Sequence, residues 1–143
     1  MKIALGADED THLVGSIRGW LEQQGHEVVP HGAAVGVSEP WAKTALDVAE
    51  GVAARRFDLG VVCCWTGTGV SIAANKVPGV RAALCADAET ARGARKWNDA
   101  NVLALSLRST SEQVAREILA AFVAEPYAGT EDASLGAIRE REA

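Results

Sequence analysis

The amino-acid sequence predicts one α/β domain in which a five-stranded parallel β-sheet is covered by helices on both faces. Segments typical of strands and of amphipathic helices alternate along the chain, with short links between them. The run from Leu59 to Cys64 is apolar, rich in β-branched residues and not alternating, which is typical of a strand buried on both faces. The chain of 143 residues also has the length of one domain. The expected architecture is therefore Rossmann-like, with three layers.

Each element follows from its local pattern. Short apolar runs predict strands at residues 2–7, 26–30, 59–64, 80–85 and 101–105. Helical patterns between and after them predict helices at residues 12–24, 41–55, 70–75, 88–96 and 111–124. Right-handed crossovers between parallel strands place all carboxyl ends at one edge of the sheet. In open α/β sheets, ligands bind at that edge.

Glycine, proline and serine mark several boundaries of these elements. Gly25 is placed to end the first helix, since glycine adopts the left-handed conformation without strain. Pro78 ends the third helix, and Ser111 is placed to begin the last one. The domain is expected to cover residues 1–125. Residues 126–143 are expected to form a C-terminal tail that extends from the domain and either lies on a partner subunit or remains mobile.

The composition is ordinary for a globular protein, with 48% hydrophobic and 23% charged residues. A net charge of −5, without a cluster of lysine and arginine, argues against a nucleic-acid-binding surface. The sequence shows no signal peptide and no apolar segment near the roughly 18 residues that a membrane helix needs. Three cysteines do not make a disulfide framework. We therefore expect a protein of the reducing cytoplasm, with no nucleic-acid or membrane partner.

A glycine-rich turn, Trp65-Thr66-Gly67-Thr68-Gly69, directly follows the strand that ends at Cys64 and directly precedes a helix. Glycine permits positive φ and the close approach of a ligand to the backbone. The first N–H groups of a helix also lack intrahelical partners, so this turn is expected to bind an anion or a developing oxyanion. The N–H groups concerned are those of Gly67, Thr68, Gly69 and Val70. The alternative is a turn that serves only the chain topology.

The same region resembles a known enzyme family. After Cys64 and Trp65 come Thr-Gly-Thr-Gly, a valine, and Ser-Ile-Ala-Ala-Asn-Lys-Val-Pro-Gly-Val-Arg-Ala-Ala-Leu-Cys. This pattern resembles the type B ribose-5-phosphate isomerases and their galactose-6-phosphate isomerase relatives. Residues 98–105, Asn-Asp-Ala-Asn-Val-Leu-Ala-Leu, are similar to the second signature of the family, and residues 1–8 to its opening strand. The resemblance extends over residues 1–125 and is densest from 61 to 108.

The resemblance implies an aldose–ketose isomerase that moves a proton between adjacent carbons through an enediolate, with no metal and no organic cofactor. It implies that Cys64 is the general base, a role that a thiolate at a helix N-terminus can fill. The alternative is a buried structural cysteine, which better describes Cys63 and Cys85. Asp8 is expected to handle a sugar hydroxyl or assist ring opening, unless it caps the first helix. Thr66 is a further catalytic candidate.

Two more residues match family positions that contact the substrate. Asn98 matches a residue that hydrogen-bonds the sugar. Arg108 matches an arginine that contacts the phosphate, and an exposed arginine after a strand is the alternative. The resemblance also implies a homodimer, or a dimer of dimers, in which each active site is built across the dimer interface.

The chain departs from the family at several of these positions. Glu9 stands where the family has histidine after the first acidic residue, and Trp97 stands where it has the histidine that opens the sugar ring. Trp65 replaces the glycine after the catalytic cysteine, and Glu39 replaces a tyrosine. The basic cluster that grips phosphate is replaced by Gly-Thr-Glu-Asp-Ala-Ser at residues 129–134.

These departures shape the expected substrate. Acidic groups repel a phosphate dianion, so ribose 5-phosphate is expected to react poorly. A shorter, differently substituted or unphosphorylated sugar is expected to be preferred, and a short open-chain sugar needs no ring opening. Trp41, Trp65 and Trp97 fall in loops around the predicted site. They are expected either to stack on a sugar ring or to fill a dimer interface.

Two other functions fit parts of the sequence. A non-catalytic protein that binds a sugar or sugar phosphate would explain the missing ring-opening histidine. A dinucleotide site would use Gly67 and Gly69 with Asp87 about 20 residues further on. However, Ile72 replaces the third glycine of that motif, and the turn follows the third strand rather than the first. No histidine has a spacing to the cysteines that is typical of a metal site.

Overall fold

The computed structural model describes residues 1–142 and has the predicted alternation of strands and helices. The strands are β1 (Lys2–Ala7), β2 (Glu27–Gly32), β3 (Leu59–Cys64), β4 (Ala82–Leu84) and β5 (Val102–Ser106). The helices are α1 (His12–Gln23), α2 (Trp41–Ala53), α3 (Thr68–Ala74), α4 (Ala88–Asn98), α5 (Glu112–Ala124) and α6 (Asp132–Arg141). A short 3₁₀ turn, Ala33–Val35, follows β2.

The five strands form one parallel sheet in the order β2-β1-β3-β5-β4. From β1 the chain passes to β2 on one side and then to β3 on the other, so the strand order reverses between β1 and β3. In such sheets the crevice beyond the carboxyl ends of the two strands at the reversal is the usual ligand site. Here those ends are Ala7 and Cys64. The predicted fold class is confirmed.

The sheet is buried on both faces, as the apolar run of β3 predicts. One face packs against α1, α4 and α5 through residues such as Ile17 and Phe122. The other packs against α2 and α3 through residues such as Val48 and Val70. Because successive side chains of a strand point to opposite faces, Cys63 and Cys64 lie in different layers of the core.

Two of the predicted helix boundaries are confirmed, and the end of α2 shifts. Gly25 ends the first helix as predicted, with φ of 90° and its N–H donating to the carbonyl of Glu22 at 3.0 Å. Ser111 caps α5 through its Oγ, which accepts from the N–H of Val114 at 3.1 Å. α2 ends two residues earlier than predicted, and Arg55 follows it in the left-handed conformation, with φ of 61°.

The C-terminal tail differs from the expected extended segment, because most of it forms α6. The Leu135 side chain of this helix is buried, and the Glu142 carboxylate accepts from the N–H of Gly79 at 2.8 Å. α6 escaped prediction because it buries little apolar surface, with Leu135 as its one buried residue and hence no apolar stripe. Its contacts are with its own chain, and packing of the tail on a partner subunit stays a prediction. Within residues 1–142, the helices are all too short or too polar to cross a membrane.

Candidate active site

Three predicted site residues lie at or just beyond the carboxyl ends of the neighbouring strands β1, β3 and β5. Asp8 follows β1, and its N–H donates to the carbonyl of Cys63 at 3.4 Å. The carbonyl of Cys64 accepts from the N–H of Leu107 at 2.9 Å, just after β5. The N–H of Arg108 then donates to the carbonyl of Trp65 at 3.0 Å. The backbone thus brings Asp8, Cys64 and Arg108 to the edge of the sheet where the strands end.

The three cysteines differ in their chemical environment. Burial raises the pKa of Cys63 to about 12, and the neighbouring Cys64 and Asp8 add to the effect. Burial likewise raises the pKa of Cys85 to about 11, with Asp87 adding to it. Both thiols therefore stay protonated near neutral pH and are poor bases. Cys64 is 6% exposed and lies at the last position of β3, beside the glycine turn.

The glycine turn begins α3 in a conformation that requires glycine. Gly67 has φ of 78° and is the residue before the helix. A Cβ at this position would lie 2.6 Å from Leu84 Cδ1 and 2.9 Å from the carbonyl carbon of Leu105. The first intrahelical bond runs from the N–H of Ser71 to the carbonyl of Gly67 at 3.3 Å. The N–H groups of residues 68–70 precede that bond and point away from the helix.

The hydroxyl groups of Thr66 and Thr68 lie in the same turn, with their Oγ1 atoms 2.7 Å apart. This pair joins the two ends of the turn next to Cys64. Thr66 is exposed, so its hydroxyl remains open to a ligand in the crevice. The structure therefore places the third catalytic candidate beside Cys64 and the turn N–H groups.

Trp41 forms one wall of the crevice. A Cβ at Gly69 would lie 3.0–3.1 Å from three atoms of the Trp41 ring, so the indole rests directly on the Gly69 backbone. Trp41 is the first residue of α2 and is 45% exposed. Trp65 is 58% exposed and follows Cys64 directly. Two of the three predicted tryptophans therefore stand at the site.

Ser106 is a site residue that the sequence analysis missed. It ends β5 opposite Cys64 and is nearly buried. Its Oγ donates to the carbonyl of Trp65 at 3.0 Å, while the hydroxyl of Ser109 lies 2.8 Å away. Ser106 thus holds the turn that carries Trp65 and Arg108. A lone serine at the end of an apolar strand gives no sequence signal of this contact.

Asp8 lies where burial and nearby groups shift its pKa in opposite directions. Burial raises the pKa of Asp8, its own N–H lowers it and the charge of Glu9 raises it. Asp8 does not cap α1, because Thr11 does so through its Oγ1, which accepts from the N–H of Val14 at 3.4 Å. The alternative role of Asp8 as a helix cap is therefore wrong.

Glu39 is held at the start of α2 rather than free in the crevice. Its Oε1 accepts from the hydroxyl of Thr44 at 2.9 Å, and its Oε2 lies 3.3 Å from Lys43 Nζ. The side chain is only 15% exposed. These contacts order the segment that carries Trp41.

Trp97 and Asn98 do not join the other site residues within one chain. They end α4, and the chain then enters β5, so they lie at the edge where the strands begin, opposite the edge that holds Cys64. A Cβ at Gly93 would lie 2.7 Å from the Trp97 ring, so the indole folds back over its own helix. Both residues line a groove of about 1020 Å³, together with Leu135 and Ile138 of α6. We name this the α6 groove.

Comparison with known proteins identifies the chain. Residues 3–136 match the sequence family described as Ribose/Galactose Isomerase. The chain belongs to the ribose/galactose isomerase family. It is 37% identical over 136 residues to the galactose-6-phosphate isomerase subunit LacB of Clostridium acetobutylicum, covering 92% of this chain and 77% of that protein. It is 34% identical over 131 residues to a D-erythrulose-4-phosphate isomerase of Pectobacterium atrosepticum, covering 90% and 86%.

The fold agrees with solved structures of the ribose/galactose isomerase family. The structure of Clostridium thermocellum ribose-5-phosphate isomerase B superimposes with a TM-score of 0.91 at 39% identity, covering 99% of this chain and 97% of that one. The predicted resemblance is confirmed. The isomerase function is likewise confirmed over the alternative of a non-catalytic binding protein.

Within residues 1–142, no three His, Cys, Asp or Glu side chains are arranged to hold a metal ion. His12, the first residue of α1, pairs with Glu112, its Nε2 lying 2.6 Å from the carboxylate.

Proposed function

We propose that this chain interconverts the aldose and ketose forms of a four-carbon sugar phosphate. The observation that carries the proposal is Trp97, which stands beside Asn98 where the resemblance implies a ring-opening histidine. An indole has one N–H donor and no basic nitrogen, so it cannot exchange a proton with a ring oxygen. A tetrose with phosphate on O4 has no free hydroxyl to close a five-membered ring, so it needs no ring-opening residue.

One of the relatives is named for a substrate of this class. The Pectobacterium protein, similar over 90% of this chain, is named for D-erythrulose 4-phosphate. Arg108, whose N–H donates to the carbonyl of Trp65, is the candidate contact for the phosphate. The test is an isomerase assay over four-, five- and six-carbon sugars, free and phosphorylated, with solvent deuterium exchange at C2 followed by NMR.

The proposed chemistry is a proton transfer at C1 and C2. Cys64, as thiolate, removes the C2 proton of the aldose, and the electron pair moves to the carbonyl oxygen at C1. Thr66 transfers a proton between O2 and O1, and the thiol then protonates C1 to give the ketose. The N–H groups of residues 67–70 stabilise the enediolate oxygen, and Asp8 positions a sugar hydroxyl.

Neither a metal nor a nicotinamide has a part in this mechanism, which uses only a base, a hydroxyl and fixed dipoles. We therefore expect unchanged turnover after dialysis against EDTA, and no dependence on NAD. The measurement is kcat before and after dialysis, with and without added divalent ions. Loss of activity on dialysis and its return with a divalent ion would overturn the mechanism.

We further propose that a second copy of the chain completes each site. Asn98 lies at the opposite edge of the sheet from Cys64, so one chain cannot place both on one substrate. The α6 groove beside Asn98 is apolar, and Ile72 and Leu84 expose apolar side chains near the glycine turn. Apolar surfaces of this kind favour an interface between copies.

Mixing two inactive variants tests this arrangement. Cys64→Ala and Asn98→Ala homodimers are each expected to be nearly inactive. After subunit exchange, mixed dimers contain one site with both residues intact, so activity should return to roughly a quarter of the native value. A mixture that exchanges subunits yet stays inactive would contradict the shared site.

The proposed cytoplasmic location agrees with the state of the cysteines. All three are free and buried in this structure. A catalytic thiol at position 64 needs reducing surroundings, because oxidation would remove the thiolate. The location stays a prediction.

A further inference from the structure

A second polar cavity opens at the edge of the sheet where the strands begin, away from Cys64. Its volume is about 550 Å³, within the range of small-metabolite sites. Asp58 immediately before β3, Asn101 before β5 and Arg81 before β4 all line it. It is therefore separate from the crevice at the carboxyl ends of the strands. We name it the arginine cavity.

The arginine cavity concentrates positive charge in a chain whose net charge is −5. Four of the ten arginines of the sequence line it, namely Arg55, Arg81, Arg95 and Arg139. Such a concentration does not follow from the composition and needs a local reason.

Three carboxylates also line the cavity, and each has a partner. Asp58 accepts from the N–H of Lys2 at 2.7 Å, and Glu142 accepts from the N–H of Gly79 at 2.8 Å. Asp99 lies 3.4 Å from the guanidinium of Arg81. Four guanidinium groups against three carboxylates leave one positive charge in excess among these side chains.

Two of the guanidinium groups are held in place by neutral acceptors. Arg81 Nε donates to the carbonyl of Asp99 at 2.7 Å. Arg95 donates from Nε to the carbonyl of Glu125 at 3.0 Å and from its terminal nitrogen to that of Ala100 at 2.6 Å. These carbonyls orient both groups, and Arg81 in addition pairs with the Asp99 carboxylate. Burial lowers the pKa of Arg95, the charge of Asp99 raises it and that of Arg81 lowers it further.

The backbone around the cavity is also unusual. Within residues 1–142, two non-glycine residues have positive φ, Arg55 at 61° and Asp99 at 47°, and both line this cavity. Glycine is the residue that usually follows a helix in this conformation, because it carries no steric penalty. Arg55 has a Cβ and therefore carries this steric penalty. Residues with strained backbone of this kind cluster at functional sites. Arg55 and Arg139 also form no ion pair within residues 1–142.

We propose that the arginine cavity is a binding site for a phosphate group, carried by free phosphate or by a small phosphate monoester. The guanidinium fork matches two phosphate oxygens at once, and a dianion accepts more such bonds than one carboxylate can. Arg81 and Glu142 line both this cavity and the α6 groove, and Asp99 directly follows Asn98. The proposed phosphate site therefore adjoins the segment that carries Asn98.

The test is an NMR titration of the full chain at constant ionic strength, in the Arg108→Ala background so that the predicted phosphate contact of the active site is removed. Inorganic phosphate and glycerol 3-phosphate are the probes, and the amide signals of Arg81, Asp99 and Asn101 report the cavity. Arg55→Gly and Arg139→Ala should each weaken binding by at least about tenfold, the effect of losing one charge-assisted hydrogen bond. Arg56→Gln, a neighbouring arginine outside the cavity, is the matched control and should bind as before.

Arg55→Gly is also a variant in which weaker phosphate binding is not explained by a loss of stability. Glycine relieves the strained φ, so its midpoint of thermal unfolding without phosphate should be equal to or above that of the native chain. Response to phosphate but not to the ester assigns the cavity to free phosphate, and response to both assigns it to phosphate monoesters as well. Absence of any shift at the three amides, or equal affinity in Arg55→Gly and Arg56→Gln, would overturn the proposal.

Discussion

Replacing Cys64 by alanine is expected to lower kcat by roughly 10²–10⁴-fold, the usual contribution of a general base. The affinity for the substrate should change little, because the thiol is assigned to proton transfer and not to binding. The measurement is the rate of isomerisation together with deuterium incorporation at C2, which reports proton abstraction separately from product release. Circular dichroism checks that the variant folds.

Cys63→Ala is the matched control, since the two residues are adjacent but face opposite layers of the core. Burial keeps the Cys63 thiol protonated, with its pKa raised to about 12. Its replacement should therefore leave kcat near the native value and reduce the free energy of unfolding by about 1 kcal/mol, as for an average core substitution. Full turnover by Cys64→Ala would mean that another group, Asp8 or Glu39, is the base.

Ribose 5-phosphate is expected to be a poor substrate, with kcat/KM orders of magnitude below that for D-erythrulose 4-phosphate. The loss of ring opening and the loss of phosphate contacts each lower the activity on ribose 5-phosphate. Trp97 cannot open a sugar ring, and residues 129–134 place Glu131 and Asp132 where the family has basic groups. A hydrogen bond to a charged group contributes about 1.5–3 kcal/mol, so the loss of two or three such bonds weakens binding severely. The measurement is kcat/KM for both substrates in the same assay.

Trp97→His alone should not restore activity on ribose 5-phosphate, because it returns the ring-opening group but not the phosphate contacts. D-erythrose, which lacks the phosphate, is the control that separates the two effects. Turnover of ribose 5-phosphate on the order of 10 per second, typical of enzymes, with a sub-millimolar KM would contradict this prediction. In that case Arg139 and Arg141 of the tail would be the groups to test for phosphate binding.

The sequence by itself determined the features that depend on short stretches of chain. The run from Leu59 to Cys64 predicted a strand buried on both faces, because every residue in it is compatible with a core. The glycine turn predicted the start of α3, since few residues other than glycine accept the φ of Gly67. The carboxyl ends of parallel strands share one edge, and in the structure Asp8, Cys64 and Arg108 lie along that edge, at or just beyond the ends of β1, β3 and β5.

The tertiary structure alone decided the features that depend on residues far apart in the chain. Ser106 contacts the carbonyl of Trp65 across 41 positions, and no local pattern encodes that bond. α6 buries little more than Leu135, so its sequence lacks the apolar period that reveals a helix. Asn98 matches the family motif and Trp97 stands directly before it, but both lie at the opposite edge from Cys64, because α4 runs back across the sheet before β5 begins. The arginine cavity likewise gathers side chains from four separate segments, and only the folded chain places their charges together.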